Sequence, residues 1–231
     1  MVPDREARFD AMLDALAPWV RPGFRVLDLG CGTGSLSERV LRRFAGAHVV
    51  AVDFDPVLLR LGRSALGTAG GRLKWVDLDL RSPSWPASLP PGRIDAAVST
   101  TALHWLTGPE LTRLYRGLAR RIRRGGLFLN GDHLAFSPTS TRFAAAARAS
   151  RMEPAMTSSP GESWDAWWTS VASEPLLAAE LKVRSTRYPR AHQRTPTPDL
   201  AGHVARLRRA GFREIEVVWA RWENRVLAAV R

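Results

Sequence analysis

The sequence predicts an α/β protein built on a mostly parallel sheet, and three observations carry that prediction. Short apolar runs such as Val26-Leu27-Asp28-Leu29 and His48-Val49-Val50-Ala51-Val52 alternate with segments whose apolar residues recur at helical spacing. The first run opens into a glycine turn, Gly30-Cys31-Gly32-Thr33-Gly34, that leads directly into a helix. The tail behaves differently: Ile215, Val217 and Trp219 alternate with polar residues, and Arg225 to Val230 follows after a short break, as an antiparallel pair should. At 231 residues the chain fits one such domain with an elaboration and can bury a substantial core.

Taken in order, Asp4 to Val20 reads as an amphipathic helix with Phe9, Met12, Leu13, Leu16 and Trp19 on one face, stopped by Pro22-Gly23. After the glycine turn, Leu36, Val40, Leu41 and Phe44 mark the next helix. Asp55-Pro56 suits the N-cap and first position of a third, carrying Val57 to Leu61. Leu73 to Val76 is a third strand, and Arg93 to Ser99 a fourth. Glu110 to Arg124 is a helix ending at Gly125-Gly126, and Leu127 to Asn130 is the fifth strand, followed by Gly131-Asp132-His133. Residues 137–194 exceed what one crossover helix needs; they hold a helix around 142–151, then Trp164, Trp167 and Trp168, then a helix around 175–183. Thr197-Pro198 is predicted to cap the last helix, stopped by Gly211.

Composition narrows the function classes. The net charge of +12 is carried almost wholly by arginine, since only Lys74 and Lys182 are lysines. The arginines are scattered singly or in pairs, which argues against a nucleic-acid stripe. One cysteine, Cys31, excludes an internal disulfide framework and a cysteine-rich metal site, and no metal-ligand spacing is present. The charged opening predicts no signal peptide, and no apolar run approaches the roughly 18 residues of a membrane span. A cytoplasmic protein is the expectation.

The glycine turn carries the chemistry. Glycines let a ligand approach the backbone, and the helix after them offers unpaired N–H groups. The dinucleotide fingerprint would need a small third residue at 35 in register with Gly30 and Gly32; Ser35 stands there and the third glycine is Gly34. Asp28 precedes the turn, and an acid beside a pyrophosphate would repel it. The string D-L-G-C-G-T-G instead resembles motif I of the class I S-adenosylmethionine (SAM)-dependent methyltransferases, and V-x-V-D ending at Asp53 resembles motif II. I-D-A-A-V-S over residues 94–99 resembles motif IV, and Ala102-Leu103-His104-Trp105-Leu106 is similar to small-molecule members, among them the trans-aconitate and ubiquinone-biosynthesis branches.

That resemblance, strongest over residues 24–130, implies a Rossmann-like seven-stranded sheet with helices on both faces, the last strand antiparallel and a helical insert between strands five and six. It implies one domain: an N-terminal helix over 1–22, a SAM-binding core over 23–136, an acceptor-recognition insert over 137–194, and a helix with a strand pair over 195–231. SAM is the implied cofactor. Gly30, Gly32 and Gly34 would lie against its methionine end, with Asp28 near the amino group and Asp53 on the ribose hydroxyls. Phe54 would meet the adenine, Asp79-Leu80 its amino edge, and Ser99 the meeting point of donor and acceptor. Asp77 competes with Asp79 by a two-residue slip. His104 and His133, at converging strand ends, are the candidate catalytic bases, ranked above His192. The implied partner is a small-molecule acceptor, anionic if Arg190 and Arg194 face it. An RNA-modifying enzyme and a non-catalytic SAM-binding protein are the alternatives.

Overall fold

In the computed structural model of the chain, residues 4–155, 163–188 and 198–231 are described, with 151–155 as backbone only. Seven strands form one sheet: β1 (Arg25–Leu29), β2 (His48–Asp53), β3 (Leu73–Asp77), β4 (Ile94–Thr100), β5 (Ile122–His133), β6 (Ile215–Arg221) and β7 (Asn224–Val230). Their order is β3-β2-β1-β4-β5-β7-β6, and only β7 runs antiparallel to its neighbours. The order reverses between β1 and β4, so the carboxyl ends of those strands flank a natural ligand crevice.

Strand alternation divides the core in two. On one face Val26, Val49, Val98 and Leu129 pack under α1 (Arg5–Leu16), α2 (Ser35–Arg43) and α3 (Pro56–Leu66), through Phe9, Val40 and Leu59. On the other, Leu27, Leu29, Phe128 and Leu227 pack under α4 (Gly108–Arg121) and α8 (Leu200–Ala210), through Leu114, Leu118 and Leu207. Below the sheet Asp95 ties the strands' amino ends together. It accepts from the Arg25 amide at 2.8 Å and from the guanidinium groups of Arg21 and Arg123.

The segment between β5 and α8 contributes α5 (Thr141–Ala155), α6 (Trp164–Ala172), a 3-10 turn Pro175–Leu177, and α7 (Ala178–Arg187). Here α6 and α7 dock on α3, where Val57 and Leu61 meet Val171, Leu177 and Leu181. The ion pairs Arg184–Asp55 (2.6 Å) and Arg187–Asp77 (2.7 Å) fasten α7 to the tips of β2 and β3. No helix among the described residues is long and apolar enough to cross a membrane.

Three expectations need correction. The fourth helix ends at Arg121, not Arg124, because Ile122 already pairs with Ile94 in the sheet. β5 runs on to His133, since β7 pairs with it as far as Asn224. The last helix is capped by Asp199, whose side chain accepts from the Gly202 amide at 2.8 Å; Thr197 lies outside the described residues. Asp55 and Pro56 do cap and open α3, as the sequence indicates.

Candidate functional site

The glycine turn is forced by its surroundings. Gly30, Gly32 and Gly34 have φ of +66°, +55° and +85°, conformations that residues with a Cβ rarely adopt. A Cβ on Gly30 would stand 2.3 Å from the Ala102 Cβ, so the turn and the segment after β4 touch only because glycine is there. Gly34 serves as the N-cap of α2. Cys31 N–H donates to the Val52 carbonyl at 2.9 Å, and Gly32 N–H donates to Asp53 Oδ2 at 2.7 Å. The other Asp53 oxygen accepts from the Phe54 and Asp55 amides. Asp53 therefore joins the turn to the tip of β2. Burial nonetheless pushes its carboxyl above the usual range, outweighing those amide donors.

Around this junction opens a cavity of about 920 Å³. It is large enough for a nucleoside cofactor and a small acceptor together. Of the nine residues proposed above to meet the cofactor, Gly30, Gly32, Asp53, Phe54, Asp79 and Leu80 line it. The guanidinium groups of Arg81 and Arg187 lie 4.8 and 5.0 Å from the centre of the Phe54 ring, with Tyr188 at a centroid distance of 5.5 Å. Asp79 accepts from the Arg81 amide and guanidinium at 2.8 and 2.9 Å. Asp77, two residues earlier, points to Arg187 instead and is not on the cavity wall.

Asp28, Gly34 and Ser99 are not on that wall. Gly34 faces Trp75, whose ring would stand 2.6 Å from an added Cβ. Ser99 is fully buried and its hydroxyl donates to the Leu29 carbonyl at 2.8 Å, binding β4 to β1. Thr100, Thr101 and Ala102 take its place at the cavity. Asp28 is buried beneath the turn, where Ser37 Oγ donates to its Oδ2 at 2.6 Å and its Oδ1 has no hydrogen-bond partner among the described residues. Burial, opposed by Ser37 and helped by the nearby Asp53 charge, pushes its carboxyl up to about 7.

The two histidines part company. His104 sits in a 3-10 turn, Leu103–Trp105, with its Nδ1 2.9 Å from Asp132 Oδ1, and its backbone N–H donates to Asp132 Oδ2 at 3.2 Å. Asp132 is buried, which disfavours its charge. The His104 contact, the His133 amide and the Arg8 charge more than offset that and hold its carboxyl below the ordinary value. Leu103 and Trp105, on either side of His104, line the cavity. His133 is exposed: alternation along β5 turns it to the face opposite Asp132, away from His104. A second buried pair, Tyr115 Oη to His203 Nδ1 at 2.6 Å, joins α4 to α8. Burial pushes the His203 imidazole down to about 4, so it is neutral at pH 7. His192, Arg190 and Arg194 lie outside the described residues.

Sequence reasoning missed the Asp132 partnership, because it joins positions 28 residues apart. Trp105, in the Ala102–Leu106 segment that the sequence singles out, lines the wall. Trp164, Trp167 and Trp168 all reach the cavity from α6, as do Arg184 and Tyr188 from α7 and the residue after it. Arg5 and Phe9 of α1 also line it.

Comparison with known proteins agrees with this geometry. Residues 26–126 match the methyltransferase domain family. An uncharacterized methyltransferase of Mycobacterium tuberculosis is 37% identical over 129 residues, 55% of this chain and 55% of its own length. The trans-aconitate 2-methyltransferase of Azoarcus sp. (strain BH72) is 33% identical over 102 residues, 44% of this chain and 36% of its own. The matched stretch thus spans about half or less of these curated relatives. Among solved structures, the magnesium protoporphyrin IX methyltransferase of Synechocystis PCC 6803 shares the fold with a TM-score of 0.59 at 19% identity, over 98% of this chain and 83% of that one. The glycine turn joined to an acid at the neighbouring strand tip lies inside the matched region, and over that stretch the chain is similar to the class I SAM-dependent methyltransferases.

Proposed function

We propose that the chain transfers the methyl group of SAM to a small-molecule acceptor. One observation carries the reading: the Asp53 carboxylate and the Gly32 amide meet at 2.7 Å on the wall of a cavity with room beyond them. The residues present suit SAM. Gly30 and Gly32 bring bare backbone to the cavity wall, and an acid stands at the β2 tip to accept ribose hydroxyls. Phe54 offers a ring face for the adenine, and Asp79-Leu80 an acidic and an apolar edge beside it. Asp28 stands buried beneath the turn at the methionine end, off the cavity wall, with its Oδ1 unmatched by any described donor.

SAM supplies a methyl carbon on a sulfonium that is already a good leaving group. What the chain must add is alignment, exclusion of water, and a base where the acceptor is a hydroxyl. His104 is the proposed base. A ring bonded to Asp132 through Nδ1 exchanges its proton at Nε2, and Asp132 is the positioning residue that fixes this tautomer. With a hydroxyl acceptor bound, Nε2 would take its proton and pass it to water, while bound SAM would supply the methyl group and leave as S-adenosylhomocysteine. Incubating cell extract with the protein and methyl-labelled SAM tests the reading: label should appear in a low-molecular-weight product. Label confined to RNA or protein, or no labelled product, contradicts it.

A further inference from the structure

Four indoles line the cavity. Trp164, Trp167 and Trp168 share one face of α6; Trp164 and Trp167 stack at 5.3 Å, and Trp168 stands edge-on to both. Trp105 comes from the turn after β4. Trp164 is 63% exposed and Trp105 58%, so two of the largest apolar side chains left open on the described surface border one cavity. Large indoles are kept in water at a cost unless a ligand covers them.

Charge points the same way. An acceptor bearing several carboxylates needs uncommitted cations, and those on the described wall have carboxylate partners. Arg81 is held by Asp79, and Arg184 by Asp55 at 2.6 Å while its guanidinium lies 3.8 Å from the Trp168 ring centre. Arg5 lies over Phe9 and 3.6 Å from Glu6. What remains is flat apolar surface with a hydroxyl-directed base beside it.

We infer that the acceptor is a planar aromatic molecule carrying a hydroxyl, laid against Trp164 and Trp105, and not an aliphatic polycarboxylate. This rests on the methyl-transfer reading for what happens to the hydroxyl, but not for the binding preference itself. Offset and edge-to-face stacking favour an aromatic ring over a saturated one of equal size.

The test measures binding by calorimetry and by quenching of tryptophan fluorescence, with S-adenosylhomocysteine saturating the protein. The probes are 2-naphthol, its saturated counterpart decahydro-2-naphthol, and citrate. The naphthol should bind and quench, with the saturated ring weaker by about tenfold. Trp164→Ala should weaken naphthol binding by about tenfold and Trp164→Phe by less, each leaving S-adenosylhomocysteine affinity within about twofold. Citrate binding tighter than naphthol, no naphthol binding, or unchanged naphthol affinity in both Trp164→Ala and Trp105→Ala overturns the proposal. A chain that fails to bind S-adenosylhomocysteine contradicts the methyl-transfer reading alone, and the same panel then reads the aromatic preference without it.

Discussion

His104 Nδ1, in the turn after β4, lies 2.9 Å from Asp132 Oδ1, near the end of β5 and 28 positions along the chain. The carboxylate is buried and the imidazole one-third exposed, so the acid is fixed and the ring faces outward from it. Asp132→Asn should therefore lower kcat by about 10- to 100-fold while S-adenosylhomocysteine affinity stays within about twofold. Steady-state kinetics on the labelled product, paired with calorimetry, check this split. A merely structural role would weaken both together.

Gly30 and Ala102 make a second test. Gly30→Ala places a Cβ 2.3 Å from the Ala102 Cβ in a left-handed conformation. It should cost about 2–4 kcal/mol of stability and strongly weaken cofactor binding. Adding Ala102→Gly should recover the steric part but not the roughly 1 kcal/mol of backbone strain. Chemical denaturation of the single and double variants measures both.

Asp28 predicts an unusual pH dependence. Its folded-state value is raised to about 7 by burial, so between about pH 4 and 7 the unfolded chain sheds this proton and the folded one keeps it. Its contribution thus falls as pH rises through that window. Asp28→Asn should raise the melting temperature at pH 8 and leave it nearly unchanged at pH 4. Thermal melts at the two pH values decide it, with equal shifts counting against the assignment.

Asp95 has the opposite sign. Burial opposes its charge, but the Arg25 amide and the Arg21 and Arg123 guanidiniums hold its carboxyl below the ordinary value. Its stabilisation is present above the unfolded value of 3.8 and is lost as pH falls below it. Asp95→Asn should cost about 2 kcal/mol at pH 7, because the arginines remain half in solvent. The difference from the unmodified chain should shrink in acid, as urea titrations at several pH values will show.

The parallel half of the fold was legible because β1, β2 and β3 are short apolar runs closed by a glycine or an acid. The tail was legible because β6 alternates. Where β5 begins and ends was not, since Ile94 and Asn224 set its limits by pairing, and pairing is not written in the strand itself. Gly30, Gly32 and Asp53 could be placed together because strand tips in an open sheet converge. The direction of Asp28 and Ser99 could not, since that depends on Ser37 and the Leu29 carbonyl competing for them. The His104–Asp132 pair leaves no local signal, and the wall of α6 indoles shows only as three tryptophans in five residues.

The account stands on the union of the glycine turn with Asp53. Calorimetric titration of the chain and of Asp53→Ala with SAM tests it most directly, with circular dichroism confirming that the variant folds. One SAM per chain should bind to the unmodified protein, and the folded variant should bind at least about tenfold more weakly. A folded Asp53→Ala that binds SAM as tightly as the unmodified chain, or an unmodified chain that binds none, would contradict it.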